Sequence, residues 1–303
     1  MQEERQMSYA DQVFIDMCRD IIDNGTDTRG EKVRPVWEDK TPAYTVKKFC
    51  VVNRYDLSKE FPALTLRRTA IKSCTDELLW IWQKKSNNIH DLNSHIWDSW
   101  ADEDGSIGKA YGYQMSVKHQ YKEGMFDQVD RVIYDLKNNP YSRRIMTNIY
   151  VHQDLHEMNL YPCAYSMTFN VTKKEGHEKL SLNGMLNQRS NDVLTANNWN
   201  VCQYAVLLHM LAQVCDMEVG ELFLLALETM LISMTMKILS VAITVILYGR
   251  MIKSNVKDYL PENYKDADIQ FTDVVKNNDV HLTGVLIKKE NETLTPNIYI
   301  NEL

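Results

Sequence analysis

The 303-residue sequence is poor in the residues that break or cross-link a chain. It has only 7 Pro and 11 Gly, too few for a fibrous or linker-rich protein. Its 6 Cys include no CxxC pair and no His partner at zinc-finger spacing, so we expect no structural metal. With 44% hydrophobic and 25% charged residues, the composition instead predicts a folded globular protein with a substantial core.

Excess positive charge is also absent. There are 34 Lys and Arg against 41 Asp and Glu, a formal net charge of −7, which disfavours nucleic acid as a partner and leaves anion binding to local clusters. The polar first residues lack the apolar core of a secretion signal, so we expect reduced thiols and a cytoplasmic protein.

Long uncharged hydrophobic runs are missing as well. The most apolar segment covers residues 223–251, but Glu228 and Lys237 interrupt it. The remaining runs fall short of the roughly twenty residues that a membrane-spanning helix needs, so we expect no membrane association.

Hydrophobic periodicity predicts a mixed α and β chain without internal repeats. Three-four spacing favours helices, and alternation or β-branched runs favour strands. The predicted helices are 9–22, 70–83, one ending at 134–137 and 201–214, and the predicted strands are 45–52, 145–151, 165–171 and 180–186.

Cys163, in the sequence YPCAY, has two readings when it is considered alone. It is either a buried structural thiol or a nucleophile. The basic pair Arg143 and Arg144 precedes it, and the polar run NQRSND (187–192) follows it. Because arginine binds phosphate and favours a neighbouring thiolate, a cysteine nucleophile acting on an anionic substrate is a plausible alternative.

Several separated tracts of the sequence resemble thymidylate synthases. The resemblance runs from about Ile21 to Leu222. It rests on DELLWIWQ (76–83), HIWDSWADEDGSIGKAYGYQ (95–114), NNPYSRRI (138–145), LYPCAY (160–165) and NQRSNDVLTANNWNVCQYAVLLHMLAQVC (187–215).

This resemblance implies both a fold and a reaction. The fold would be α+β, a single domain over residues 1–303, with a large mixed β-sheet flanked by helices and the sheets of two subunits stacked face to face in a homodimer. The reaction would be the reductive methylation of dUMP to dTMP, with 5,10-methylenetetrahydrofolate as cosubstrate and no metal. A thiolate would add to uracil C6, so that C5 can attack the folate-borne methylene.

The resemblance also implies roles for individual residues. Cys163 would be the nucleophile, Glu77 would organise proton transfer, and Tyr111 would support the proton-abstracting water. The phosphate would be bound by Arg34, Arg189 and Ser190, with Arg143 and Arg144 supplied by the other subunit, and the folate pteridine by Trp97, Trp100 and Asp192. Asn200 would select uracil, since an amide can accept from N3–H and donate to O4, whereas cytosine prefers a carboxylate.

Residues 223–252 depart from this pattern. The family continues here with a strand whose His and Tyr bind the deoxyribose hydroxyl, whereas residues 223–251 contain no His and a single Tyr. Codons can be chosen for 223–237 and 240–247 that give family-like sequences in shifted frames, so a frame-shifted segment is one hypothesis. We expect the strand and its following helix to be replaced by an apolar segment that packs poorly. The alternative function is therefore an inactive or damaged homologue that keeps the dimeric fold.

Overall fold

A computed structural model of the chain describes residues 7–34, 36, 40–232, 268–275, 281–289, 292–294 and 299–301. The α-helices in these ranges are α1 Tyr9–Asn24, α2 Ile71–Leu79, α3 Gly112–Ser116, α4 Gln128–Asn138 and α5 Asn198–Val214. The strands are β1 Thr26–Asp27, β2 Thr45–Asp56, β3 His119–Tyr121, β4 Gly124–Phe126, β5 Met146–Asn148, β6 Ala164–Lys173, β7 Leu180–Gln188, β8 Asn191–Asp192, β9 Glu218–Ile232, β10 Asp268–Val275, β11 His281–Lys289, β12 Glu292–Leu294 and β13 Tyr299–Asn301.

A seven-stranded mixed sheet organises the described chain. Its order is β1-β2-β9-β7-β6-β5, and β8 also pairs with β9. β7 and β8 run parallel to β9, and the other neighbours are antiparallel. Helices α1 and α5 pack against this sheet. The predicted α+β fold with a large mixed sheet is thereby confirmed.

Helix α5 buries apolar side chains under the sheet. Val201, Leu208 and Ala205 are almost fully buried against the strands. Each fully buried aliphatic side chain stabilises the fold by about 2 kcal/mol through the area that it removes from water. This helix connects β8 to the parallel strand β9, so its packing positions the sheet edge at which β7 ends.

The segment that departs from the family pattern begins as a well-paired strand. Residues 223–232 form the second part of β9, which pairs with β2 from Asp56↔Glu221 to Thr45↔Ile232. Leu224, Ala226 and Leu231 are buried in it. The expectation that an ill-fitting apolar segment replaces the strand is therefore wrong for these residues, because they pair along β2 and their buried side chains fill the core on both sides of a change of face between Ala226 and Thr229. Residues 233–252 lie outside the described residues.

Strand β2 changes face at Cys50, which has a left-handed φ of 60°. Lys48, before the kink, pairs with Asp20 of α1, and Asn53, after it, donates to the Met17 sulfur of α1. Even-numbered residues therefore face the helices before Cys50, and odd-numbered residues face them afterwards. The predicted strand 45–52 is extended to Asp56 because the broken alternation hid its second part.

Asp127 connects α4 to the loop after α2. Its carboxylate caps α4 by accepting from the Asp130 amide at 3.0 Å and pairs with Lys85 at 2.7 Å and Lys118 at 2.9 Å. Burial alone would raise the pKa of Asp127, but the amide and the two lysines lower it to about 2. Its negative charge therefore stabilises the folded state at neutral pH.

Two replacements of Asp127 distinguish what its helix cap contributes to stability from what its negative charge contributes. We expect Asp127→Asn, which can still cap the helix, to lower the free energy of unfolding by about 2 kcal/mol at pH 7 through the lost charged hydrogen bonds. Asp127→Ala should cost about 1 kcal/mol more, because the cap is lost too. Urea denaturation measures both.

The lowered pKa also predicts a pH window. Stability from Asp127 is present above the ordinary value of 3.8 and is lost as the pH falls towards about 2. The difference between wild type and Asp127→Asn should therefore shrink below pH 4, and a constant difference down to pH 2 would contradict this assignment.

Candidate active site

Cys163 lies at the turn that enters β6, next to the end of β7. Its carbonyl accepts from the Arg189 amide at 3.0 Å. The β6–β7 register is irregular between Ala164 and Ser166, immediately after the cysteine. The thiol is half-buried at this sheet edge, accessible from one side and fixed by the sheet on the other.

The Arg189 side chain clamps the same turn. Its Nε donates to the Pro162 carbonyl at 3.0 Å, and its Nη2 donates to the Tyr161 carbonyl at 2.7 Å. Nη2 also lies 3.6 Å from Cys163 Sγ. One guanidinium group thus shapes the backbone before the cysteine and places a positive charge beside its sulfur.

Glu77 of α2 is a buried carboxylate whose hydrogen bonds come from N–H groups. Its Oε1 accepts from Trp97 Nε1 at 2.6 Å. Its Oε2 accepts from Trp199 Nε1 at 2.6 Å and from Gln203 Nε2 at 2.8 Å. Burial raises the pKa of Glu77 above its ordinary value, and the three hydrogen bonds offset part of that rise.

Tyr111 connects this carboxylate region to the cysteine. Its hydroxyl oxygen accepts from the Cys163 amide at 3.2 Å, and its ring meets Trp97 edge-on at 4.9 Å. Burial, followed by the neighbouring Cys163, raises the pKa of Tyr111 well above its ordinary value, so the hydroxyl keeps its proton. Its backbone has a φ of 45°.

Gly112 allows the backbone next to Tyr111 to lie close to the Ser86 carbonyl. A Cβ at Gly112 would meet the Ser86 carbonyl oxygen at 1.9 Å, so no other residue fits without backbone movement. The close contact holds the start of α3 against the loop that follows α2. Tyr111 is therefore placed between Glu77 and Cys163 by backbone contacts as well as by its ring.

The remaining predicted residues of this edge lie on β8, α5 and one short turn. Asn200 is half-buried on α5, where its Nδ2 donates to the Ala196 carbonyl at 2.9 Å. Ser190 and Asp192 are half-buried after Arg189, and Asp192 Oδ1 accepts from the amides of Leu194 and Thr195. Trp100 is 41% exposed and packs on the buried Trp97 with ring centroids 5.7 Å apart.

Three predicted arginines are not joined to this group within the single chain. Arg34, Arg143 and Arg144 are all exposed. Arg143 and Arg144 lie in the loop between α4 and β5, where the Arg144 amide donates to Ser142. Among the described residues, no hydrogen bond or ion pair connects the three guanidinium groups to Cys163 or Arg189.

Sequence reasoning missed three residues of the site. Trp199 and Gln203 are four positions apart on α5, and the presence of polar atoms on one face of an apolar helix was the available signal. Arg67 is half-buried and donates to the Leu194 carbonyl. Burial lowers the pKa of Arg67, and Asp192 partly compensates. Its position before α2, in an Arg67-Arg68 pair, gave no indication of this contact.

Other classes of site have no counterpart in the described ranges. No group of three or more His, Cys, Asp or Glu side chains is placed there to hold a metal ion. No helix in the same ranges is long and apolar enough to cross a membrane.

A thiol next to a guanidinium group, backed by a buried carboxylate and a protonated tyrosine, is typical of enzymes that use a cysteine nucleophile. Comparison with known proteins shows to which family within this class of enzymes the chain belongs. A model of the thymidylate synthase family matches residues 12–245, so the similarity extends beyond Leu222. The chain belongs to the thymidylate synthase family.

Individual relatives agree with this assignment. A thymidylate synthase of Bacillus subtilis subsp. natto is 44% identical over 220 residues, 71% of this chain and 76% of that protein. The thymidylate synthase of Bacillus phage phi3T gives the same identity and coverage. The solved structure of thermostable thymidylate synthase A from Bacillus subtilis has a TM-score of 0.72 and 38% identity, covering 78% of this chain and 84% of that one.

The raised pKa of Glu77 predicts how its contribution to stability varies with pH. The folded chain keeps the Glu77 proton to a higher pH than the unfolded chain, whose carboxyl has an ordinary value of 4.5. Stability from this carboxyl should therefore fall as the pH rises from about 4.5 through the raised value, by at most about 1.4 kcal/mol per pH unit.

Urea denaturation of wild type and Glu77→Gln at a series of pH values measures this effect. The wild type should lose stability relative to the variant with rising pH. A relative gain over the same interval would show that the three hydrogen bonds outweigh burial.

Proposed function

We propose that the chain catalyses the reductive methylation of dUMP to dTMP, with 5,10-methylenetetrahydrofolate as cosubstrate and dihydrofolate as second product. The observation that carries this proposal is the placement of Cys163 Sγ 3.6 Å from Arg189, with the Tyr111 hydroxyl bonded to the cysteine amide. Family membership supplies the reaction, and this geometry supplies a nucleophile.

The first step needs a thiolate. Cys163 Sγ forms a bond to uracil C6, and the electrons of the C5–C6 double bond move towards O4, giving an enolate whose C5 attacks the folate methylene as the bond from the methylene to one folate nitrogen breaks. Loss of the C5 proton then allows the second methylene–nitrogen bond to break. A hydride from tetrahydrofolate reduces the methylene to the methyl group and leaves dihydrofolate, while the S–C6 bond breaks and releases the thiolate. Glu77, behind Tyr111, is the group proposed to handle the proton at the pyrimidine carbonyl. The Tyr111 hydroxyl, which keeps its proton, supports the water that removes the C5 proton.

Residues at this edge of the sheet would recognise the substrate. Arg189, Ser190 and Arg34 would bind the phosphate of dUMP. A dianion matches several guanidinium groups better than it matches one. Asn200 uses one N–H within α5, which leaves its carbonyl oxygen and second N–H for uracil N3–H and O4. The cytosine ring would present the wrong pattern.

The folate site is proposed beside the tryptophans. Trp100 offers an exposed aromatic face to a flat pteridine ring, and Asp192 lies at the neighbouring edge of the sheet. Trp97 is buried and donates its N–H to Glu77, so its part is to support Trp100 from behind.

A homodimer is supported by the sheet face opposite to α1 and α5, which no described helix covers and which we call the open face. Paired strands place Val52 beside Leu225 and Phe223 beside Met185 on it. Phe49 and Val52 there are 77% and 58% exposed. Exposed apolar side chains of this kind are typical of a protein interface, and a second sheet stacked on this face would bury them.

The same dimer would complete the phosphate site. Arg143 and Arg144 are exposed in the loop before β5, and no hydrogen bond joins either guanidinium group to Arg189 among the described residues. We propose that they act across the interface. We also propose a cytoplasmic location, consistent with six unpaired cysteines.

The inactive or damaged homologue is not favoured by the comparisons, since the family model continues through residue 245. The sequence of β9 is the feature by which this alternative is tested. Strand β9 forms but carries no His or Tyr between Glu218 and Ile232, so the deoxyribose hydroxyl must be bound by other groups. A frame shift remains a hypothesis for gene sequencing to decide.

Covalent trapping tests the nucleophile. Incubation with 5-fluoro-dUMP and 5,10-methylenetetrahydrofolate should add the mass of both molecules to the peptide containing Cys163, because fluorine at C5 prevents the release step. Cys163→Ala should abolish the adduct, whereas Cys215→Ala, at the end of α5, should keep it. A folded wild type that forms no adduct would favour the inactive homologue.

Subunit mixing tests the dimer and the arginines together. Cys163→Ala and Arg143→Ala chains should each be inactive, at least a hundredfold below wild type. Unfolded and refolded together in equal amounts, they should recover about one quarter of wild-type activity, since half of the dimers then hold one intact site. Tritium release from labelled dUMP measures the recovery.

Two further variants serve as controls for the mixing. Val52→Asp in both chains should abolish the recovery by charging the open face, and sedimentation should show monomers. Met125→Asp, equally exposed on β4, should leave the recovery unchanged. Failure to recover any activity in stable mixed dimers would place Arg143 in its own subunit's site.

A further inference from the structure

The Glu77 carboxylate is held by two separate parts of the chain. Trp97 approaches Oε1 from the loop before the turn at Asp98–Trp100, whereas Trp199 and Gln203 both approach Oε2 from α5. Trp97 belongs to a tract predicted from sequence. Trp199 and Gln203 have no assigned role.

Helix α5 is built to present these two donors together. Residues four positions apart lie on the same face of a helix, so Trp199 and Gln203 point towards α2 one turn apart. Gln203 is buried and also contacts the Cys74 carbonyl of α2 at 3.4 Å. A π-helical turn at Val193–Asn197 leads directly into α5, and such turns are frequent at functional sites.

No cation neutralises Glu77 in the part of the chain that the structure describes. The titratable groups that influence it are Cys74 on its own helix, Tyr204 on α5 and Tyr111 at the start of α3. Burial raises the pKa of all three groups, so they are neutral. Neutral N–H donors are therefore what favours the charged form of this carboxylate against burial.

We propose that Trp199 and Gln203 are positioning residues that orient Glu77 through Oε2 and set how readily its carboxyl releases a proton. The part that this orientation of Glu77 plays in catalysis rests on the proposed function. The two donors already occupy the lone pairs of Oε2. A proton on the carboxyl is therefore carried by Oε1, which accepts only the Trp97 indole N–H.

The test measures the Glu77 titration directly. Infrared difference spectra between each protein and its Glu77→Gln derivative report the protonated carboxyl band as a function of pH. Gln203→Met keeps the volume and removes the donor, and Trp199→Phe removes the other. Each should raise the Glu77 midpoint by about one pH unit, the loss of one hydrogen bond to a charged group.

Gln188→Met is the matched control. Gln188 on β7 is equally buried, but neither its amide oxygen nor its amide nitrogen has a hydrogen-bond partner among the described residues, so replacing it should not move the Glu77 midpoint. Unchanged midpoints in Trp199→Phe and Gln203→Met would overturn the proposal, as would an equal shift in Gln188→Met. If Gln203→Met does not fold, Trp199→Phe decides alone.

Turnover is measured separately, so that the two proposals fail independently. If wild type releases tritium from labelled dUMP, the acid limb of kcat should move upward in Gln203→Met, with KM for dUMP within about twofold of wild type. If wild type releases none, the proposed function fails, while the infrared titration still decides whether α5 sets the protonation of Glu77.

Discussion

The clamp between Arg189 and the turn before β6 is the constraint on which the site depends. One side chain holds two successive carbonyls, of Tyr161 and Pro162, and its backbone amide holds the carbonyl of Cys163. The turn therefore cannot move without breaking bonds to β7. A guanidinium group can do this and still present charge to a ligand, because it carries five donors in a fixed plane.

Behind the turn that Arg189 holds, the site residues lie at successive depths in the fold. Cys163 and Arg189 lie at the edge, Tyr111 lies behind the cysteine amide, and Glu77 lies deepest. Each layer contacts the next through a hydrogen bond or a ring edge, from the Tyr111 hydroxyl to the Trp97 indole that donates to Glu77. Such continuity couples the thiol to the carboxylate through buried groups, among which electrostatic interactions are stronger than in water.

The sequence was sufficient for the fold class and for the proximity of Cys163 and Arg189. The long apolar run of α5 and the tracts around the cysteine explain that success. The partners of Glu77 could not be predicted, because Trp199 and Gln203 meet it only once α5 packs on α2. Strand β5, Met146–Asn148, is shorter than the predicted 145–151 since its pairing with β6 ends where the chain turns towards the cysteine. The roles of Arg143 and Arg144 depend on a second chain, which no periodicity reveals.

The left-handed Cys50 gives β2 two different neighbours along a single strand. Because the side chains exchange sides at that point, Tyr55 reaches the interior while Val52 stays outside. If Cys50 took an ordinary extended conformation at unchanged chain length, the far half of the strand would invert, turning the Tyr55 ring out to water and Val52 inward. The backbone conformation at this position therefore limits which residues can replace the cysteine: glycine or asparagine would keep the exchange of faces, whereas a β-branched residue would oppose it.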